Sequence, residues 1–192
     1  YKLVQSTSDI LDDIWYHIVG VADGTNVYIY INGVLQDDQK TYDGTLKAPT
    51  SDLTMSCQYV GSNGVGQSPF NGKLSNASIF NYGLNQSQVT EIYNQGVPSN
   101  LNNFSGTAPT GWWQIGSNSS FNGINLWACL DEIGTNDADS ATGAMAEDDI
   151  VNGVGYSGNG LGTSSIEIVG DAPYSTANGI SENMDVLDRT TD

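Results

Sequence analysis

Residues 15–36 constrain the fold more than any other part of the chain. Trp15-Tyr16-His17-Ile18-Val19-Gly20-Val21 is a run of aromatic and branched residues, types that suit a pleated strand better than a helix. Asp23-Gly24-Thr25 closes the run with turn chemistry. Val27, Ile29 and Ile31 then alternate with Tyr28, Tyr30 and Asn32, the period of two expected of a strand with one face in a core. Asn32-Gly33 follows, and this pair favours a type I′ hairpin because both central residues of that turn need positive φ. Val34-Leu35 starts the return strand. The pattern therefore predicts two consecutive antiparallel hairpins.

Downstream, Leu53-Thr54-Met55 and Gln58-Tyr59-Val60 predict one or two short strands before Gly61. Lys73 to Phe80 alternates again through Leu74, Ala77 and Ile79. One helix is predicted after Leu84. Asn85 can cap it, and Gln88 stands where a capping box needs it. Leu84 and Val89 have the spacing of a hydrophobic staple, Ile92 and Tyr93 extend the apolar stripe, and Gly96 and Pro98 stop it.

Four of these segments, in order, resemble laminin-G-like domains of the concanavalin A-like jelly-roll class. They are Trp15 to Val21 with Val27 to Gly33, Tyr59-Val60-Gly61, Phe70-Asn71-Gly72-Lys73-Leu74, and Asn81-Tyr82-Gly83-Leu84-Asn85-Gln86-Ser87-Gln88-Val89. The resemblance implies an all-β antiparallel jelly-roll sandwich with one short helix. Two departures stand out. Ser75 and Asn76 occupy places where the family usually has acidic residues, and only 14 residues precede Trp15. The chain is thus expected to supply mainly the C-terminal half of such a domain, over residues 1–96. The rest is expected from a stretch before Tyr1 or from a neighbouring subunit.

Charge narrows the function. Twenty-two acidic residues against 5 basic ones leave a formal net charge of -17. A field of that sign repels phosphate backbones and anionic lipid, which argues against nucleic-acid binding or a bare membrane surface. Charged residues make up only 14% of the chain, with Gly, Asn, Ser and Thr filling the surface, as in turn-rich extracellular β proteins. No run of about 18 apolar residues predicts a spanning helix. Cys57 and Cys129 lie 72 positions apart, and spacing alone leaves open a disulfide or two buried thiols.

Residues 97–110 read as a linker of Pro, Ser, Asn, Gly and Thr, and residues 111–192 as a small β-rich segment with a repeat-like arm. Gly111-Trp112-Trp113-Gln114-Ile115-Gly116 faintly resembles the opening strand of another laminin-G-like domain. Ile150-Val151 recurs as Ile168-Val169 and Tyr156-Ser157 as Tyr174-Ser175, both at an offset of 18. Asn159-Gly160-Leu161 recurs as Asn178-Gly179-Ile180 at 19, and Met184 to Leu187 starts like a third copy. Short strands of this kind cannot bury their own faces, so the alternatives are chance similarity or an arm that folds by packing across subunits, as in a trimer. The stretch from Gly170 to Asn178, with Met184 to Arg189, also resembles tails that follow laminin-G-like domains in structural proteins of marine phages.

The candidate chemistry is sparse. His17, the single histidine, sits in a strand with no nucleophile motif around it and reads as structural. Glu167 has no acidic neighbour two residues away, so the paired carboxylates of a glycoside hydrolase are not evident. Asp131, Asn136, Asp137 and Asp139 offer hard oxygens within nine residues, either a solvated acidic loop or a calcium site of the kind that laminin-G-like rims carry. Trp112, Trp113 and Trp127 can stack on sugar rings or fill a core. Asn76, Asn85, Asn103 and Asn118 each open an Asn-x-Ser sequon. These readings lead to a non-enzymatic, homo-oligomeric virion component (fibre, appendage or capsid decoration) on the particle exterior, able to touch host glycans. The alternative is a secreted or surface lectin-like adhesin.

Overall fold

A computed structural model describes residues 3–42, 53, 55, 58–60, 65–67, 72–115, 119–121, 127–139, 150–152 and 164–168, with 58–60, 65–67, 119–121, 127, 139, 150–152 and 164–168 described by backbone alone. The first sheet is the double hairpin: β1 (Ile18–Ala22), β2 (Asn26–Ile31) and β3 (Val34–Thr41), paired antiparallel in that order. Asn32 and Gly33 adopt φ of 50° and 79°, as the type I′ turn requires. In the first turn Asp23 Oδ1 accepts from the N–H groups of Thr25 and Asn26 at 2.8 and 2.7 Å. Trp15 to His17 precede the strand rather than belonging to it.

Register decides which face of this sheet is core. Ile18, Ile31 and Val34 lie opposite one another across the three strands, while Val19, Tyr30 and Leu35 form the next rung on the other face. Val21 and Tyr30, 6% and 4% exposed, enter the main apolar cluster with Val19 and Tyr28 at its border. The helix α1 (Gln86–Tyr93) packs there. Asn85 Oδ1 accepts from Gln88 N–H and the Gln88 side chain accepts from Asn85 N–H, both at 3.0 Å, completing the predicted capping box. Leu84 and Val89 are both in the cluster, as the staple spacing implies. The helix stops one step earlier than Gly96 suggests, because Asn94 turns into the left-handed region at φ 43°.

The strand expected from Lys73 to Phe80 is two strands. β4 (Gln58–Val60) and β5 (Val65–Gln67) form a pair before them, and then β6 (Gly72–Leu74) and β7 (Ala77–Ile79) are separated at Asn76. Asn76 has φ 56°, a left-handed conformation that ends one ladder and starts another. Leu53 and Met55 lie outside any strand.

Chain elements beyond residue 97 join this core. The 3-10 turn Leu101–Asn103 brings Leu101 to 4% exposure inside the stretch read as a linker, because an apolar side chain there gains more by packing than by hydration. β8 (Gly111–Trp113) pairs with β7, and Trp112, 1% exposed, is the largest fully buried side chain among the described residues. Phe104 and Ile133 pack at the cluster's edge. β9 (Ser119–Phe121), β10 (Trp127–Cys129) and β11 (Ala138–Asp139) form a second three-stranded sheet. β12 (Ile150–Asn152) and β13 (Ser164–Ile168) pair with each other, and β13 also pairs with β6. The described strands of the arm therefore find partners within the chain. The other residues of the repeat, and Cys57, lie outside the described residues. Cys129 is buried on β10. No helix among the described residues is long and apolar enough to cross a membrane.

Candidate functional site

The acidic loop after β10 is built around Asp131, which is 8% exposed. Its Oδ1 accepts from Trp112 N–H at 3.0 Å and Ile133 N–H at 3.2 Å, and its Oδ2 from Asn136 N–H at 3.3 Å. Asp137 Oδ1 accepts in turn from Asp131 N–H at 2.9 Å. Glu132 N–H donates to Trp112 carbonyl at 2.8 Å, and Trp113 Nε1–H to the Asn136 carbonyl at 2.8 Å. The chain can turn this sharply because position 134 is glycine: a Cβ there would stand 2.5 Å from Asp131 Oδ2. Burial alone would raise the Asp131 carboxyl, but backbone donors from Trp112, Gly134, Ile133 and Asn136 outweigh it and hold the group below its ordinary value.

This arrangement locks a loop to β8. The Asp131 oxygens and one Asp137 oxygen are engaged as acceptors of backbone N–H groups. Asn136 contributes its main chain rather than its side chain to these bonds, and the Asp139 side chain lies outside the described residues. Among the described residues no three His, Cys, Asp or Glu side chains gather as a metal-holding group.

The tryptophans divide by burial. Trp112 and Trp113 are 1% and 5% exposed, so neither ring offers a sugar an open face. The Trp127 side chain lies outside the described residues. Trp15, which sequence reasoning treated only as part of a strand, is 39% exposed. It follows the exposed Asp12 and Asp13, and Ile10, Leu11, Ile14 and Ile18 around it in sequence are each at least half exposed. The preceding segment is tied to β3, where Gln5 N–H donates to Asp38 Oδ2 at 2.9 Å and the Thr7 and Ser8 hydroxyls donate to Gln36 Oε1 at 3.2 and 3.0 Å. The signal for Trp15 in the sequence was its place at the start of an expected strand.

Of the sequons, Asn76 is half-buried, Asn85 is spent as a helix cap and Asn103 is exposed; Asn118 lies outside the described residues. His17 is partly buried beside α1, its ring stacked on Tyr93 with centroids 5.8 Å apart.

No curated protein and no solved structure matches the chain. Residues 1–90 match the concanavalin A-like lectin/glucanases superfamily. The matched span contains the double hairpin, the β6–β7 break and most of α1, so the first 90 residues have the fold of an all-β, concanavalin A-like and laminin-G-like jelly roll with one short helix.

Proposed function

We propose that this protein is a non-catalytic carbohydrate-binding module of lectin type that meets its glycan at Trp15. The observation that carries the reading is the match of residues 1–90 to a superfamily of lectins and glucanases. An exposed indole beside carboxylates suits a sugar: the C–H face of the pyranose stacks on the ring, and its hydroxyls donate to acidic oxygens. Trp15, preceded by Asp12 and Asp13, supplies that combination on the surface. Hydrolysis instead asks for two carboxylates about 5–9 Å apart across a cleft. Asp131 and Asp137 accept backbone N–H groups and hold the loop after β10 to β8, a structural use of these two carboxylates. The virion role expected from the tail rests on that resemblance alone, whereas the family match speaks for carbohydrate.

The test is calorimetry with the glycans that score in a broad array, on the native chain and on Trp15→Ala. The expected result is saturable binding that weakens roughly tenfold in the variant, with an unchanged melting temperature. A flat array removes the proposal, and release of reducing ends from a polysaccharide would make the protein a glucanase instead.

A further inference from the structure

We infer that His17 is a pH-sensitive latch between the first sheet and helix α1, closed while its imidazole is neutral and loosened once it is protonated. The seam it occupies is small and well defined. His17 N–H donates to Asn32 Oδ1 at 2.9 Å and the His17 carbonyl accepts from Asn32 N–H at 2.8 Å, which seats His17 beside the β2–β3 turn. Its ring stacks on Tyr93, with an interplanar angle of 26°. Tyr93 in turn fills the space over Gly33, where a Cβ would lie only 2.9 Å from Tyr93 Cδ1. Gln86, at the other end of the helix, donates from Nε2 to the Gly33 carbonyl at 2.7 Å. Sheet, turn and helix thus meet around one imidazole.

That imidazole is poorly prepared for a proton. Its Nδ1 is buried and has no hydrogen-bond partner among the described residues. A neutral ring can leave Nδ1 as an unused acceptor at small cost, but protonation turns the same atom into a charged N–H donor aimed at nothing. Among the described residues, the groups seen against it are the Tyr93 ring from α1 and the uncharged Asn32 from the turn. Burial pushes the imidazole below its ordinary value, and no charged side chain among the described residues contributes. The Tyr93 face attracts a cation only weakly, less than a buried N–H⁺ without an acceptor loses. The strain is relieved when Tyr93 swings away and water reaches Nδ1. Because Val89 and Ile92 ride on the same helix into the core, that movement loosens the hold on the whole of α1.

The direction follows from linkage. The closed state has the depressed value, so the open state binds more protons, and closure weakens as pH falls below the ordinary 6.5. Between that value and the closed-state value the open population rises by up to about tenfold per pH unit. The chain contains one histidine, so proton NMR reads its titration without assignment by mutation. The experiment follows that resonance from pH 8 to 4.5. In parallel, hydrogen–deuterium exchange over residues 86–96 is corrected for intrinsic rate, in the native chain and in His17→Phe. The expected result is a His17 midpoint below 6.5 and loss of helix protection on acidification in the native chain, with protection retained in the variant. A midpoint at or above 6.5, unchanged protection, or an equal loss in His17→Phe overturns the inference. Should the variant fail to fold, the native chain decides alone: helix protection must begin to fall near pH 6.5 and level off at the His17 midpoint.

Discussion

Asp131→Asn probes the loop that carries β10 back to β8. The substitution keeps the shape and one acceptor oxygen but replaces the other with an NH2 group. With the oxygen at the Oδ1 place, the bonds from Trp112 and Ile133 survive in weaker, uncharged form, while the amide faces the Asn136 N–H, donor against donor. Flipping the amide moves the conflict to Trp112 and Ile133. An unsatisfied buried donor costs about 1–3 kcal/mol, and hydrogen bonds to a charged acceptor are roughly twice as strong as neutral ones. Relief from burying a charge offsets part of this, but the depressed carboxyl shows that the donors already exceed that penalty. The net expectation is a loss of about 2–3 kcal/mol at pH 7, large against a total of roughly 5–15 kcal/mol. Urea denaturation of both chains measures it. A group whose carboxyl is held below its ordinary 3.8 contributes fully above that value and loses its contribution as pH falls through the folded-state value. The gap between native chain and variant should therefore narrow only below pH 4. A difference under about 0.5 kcal/mol at pH 7, or one that is the same at pH 7 and pH 3, would refute the reasoning.

Other perturbations test other joints. Val89→Ala, at a site with 0% exposure, should cost about 2–3 kcal/mol in the same assay, from lost transfer energy and the cavity left behind. Asn85→Ala removes one half of the capping box and should cost about 1 kcal/mol, with exchange protection lost first at residues 86–89. Gly33→Ala meets both a φ of 79° and the Tyr93 ring, so it should destabilise by about 1–3 kcal/mol and expose Tyr93 to solvent quenching. Because the Asp131 oxygens are engaged by backbone donors, millimolar calcium should leave the melting temperature within about 1 °C; a larger rise would show that the loop rearranges around the ion.

Local chemistry was legible wherever a few adjacent residues decide the conformation. Asn32-Gly33 announced its turn because few other pairs tolerate positive φ twice, and Asn85 with Gln88 announced the helix start because both orphan donors are satisfied within four residues. Asn76 misled for the same kind of reason. Its neighbours alternate like one strand, and nothing adjacent reveals that its backbone turns left-handed. Trp112, Trp113 and Asp131 show the other limit. Two tryptophans in a row and an aspartate in a Gly/Asn-rich loop read equally well as sugar platform and ligand set or as core and loop lock. Their roles depend on a partner strand more than thirty residues away and on which N–H groups the loop presents.

The sequence by itself determined the β character, the double hairpin, the capped helix and the kind of domain in its first 90 residues, since turn residues, side-chain period and caps act over a few positions. Tertiary structure alone decided that Leu101 and Trp112 complete the core begun by Val21 and Tyr30, that β13 returns to β6, and that Trp15 rather than Trp112 meets solvent. Burial is a property of what lies opposite in space. No local pattern specifies which distant segment will gain most by covering an apolar face.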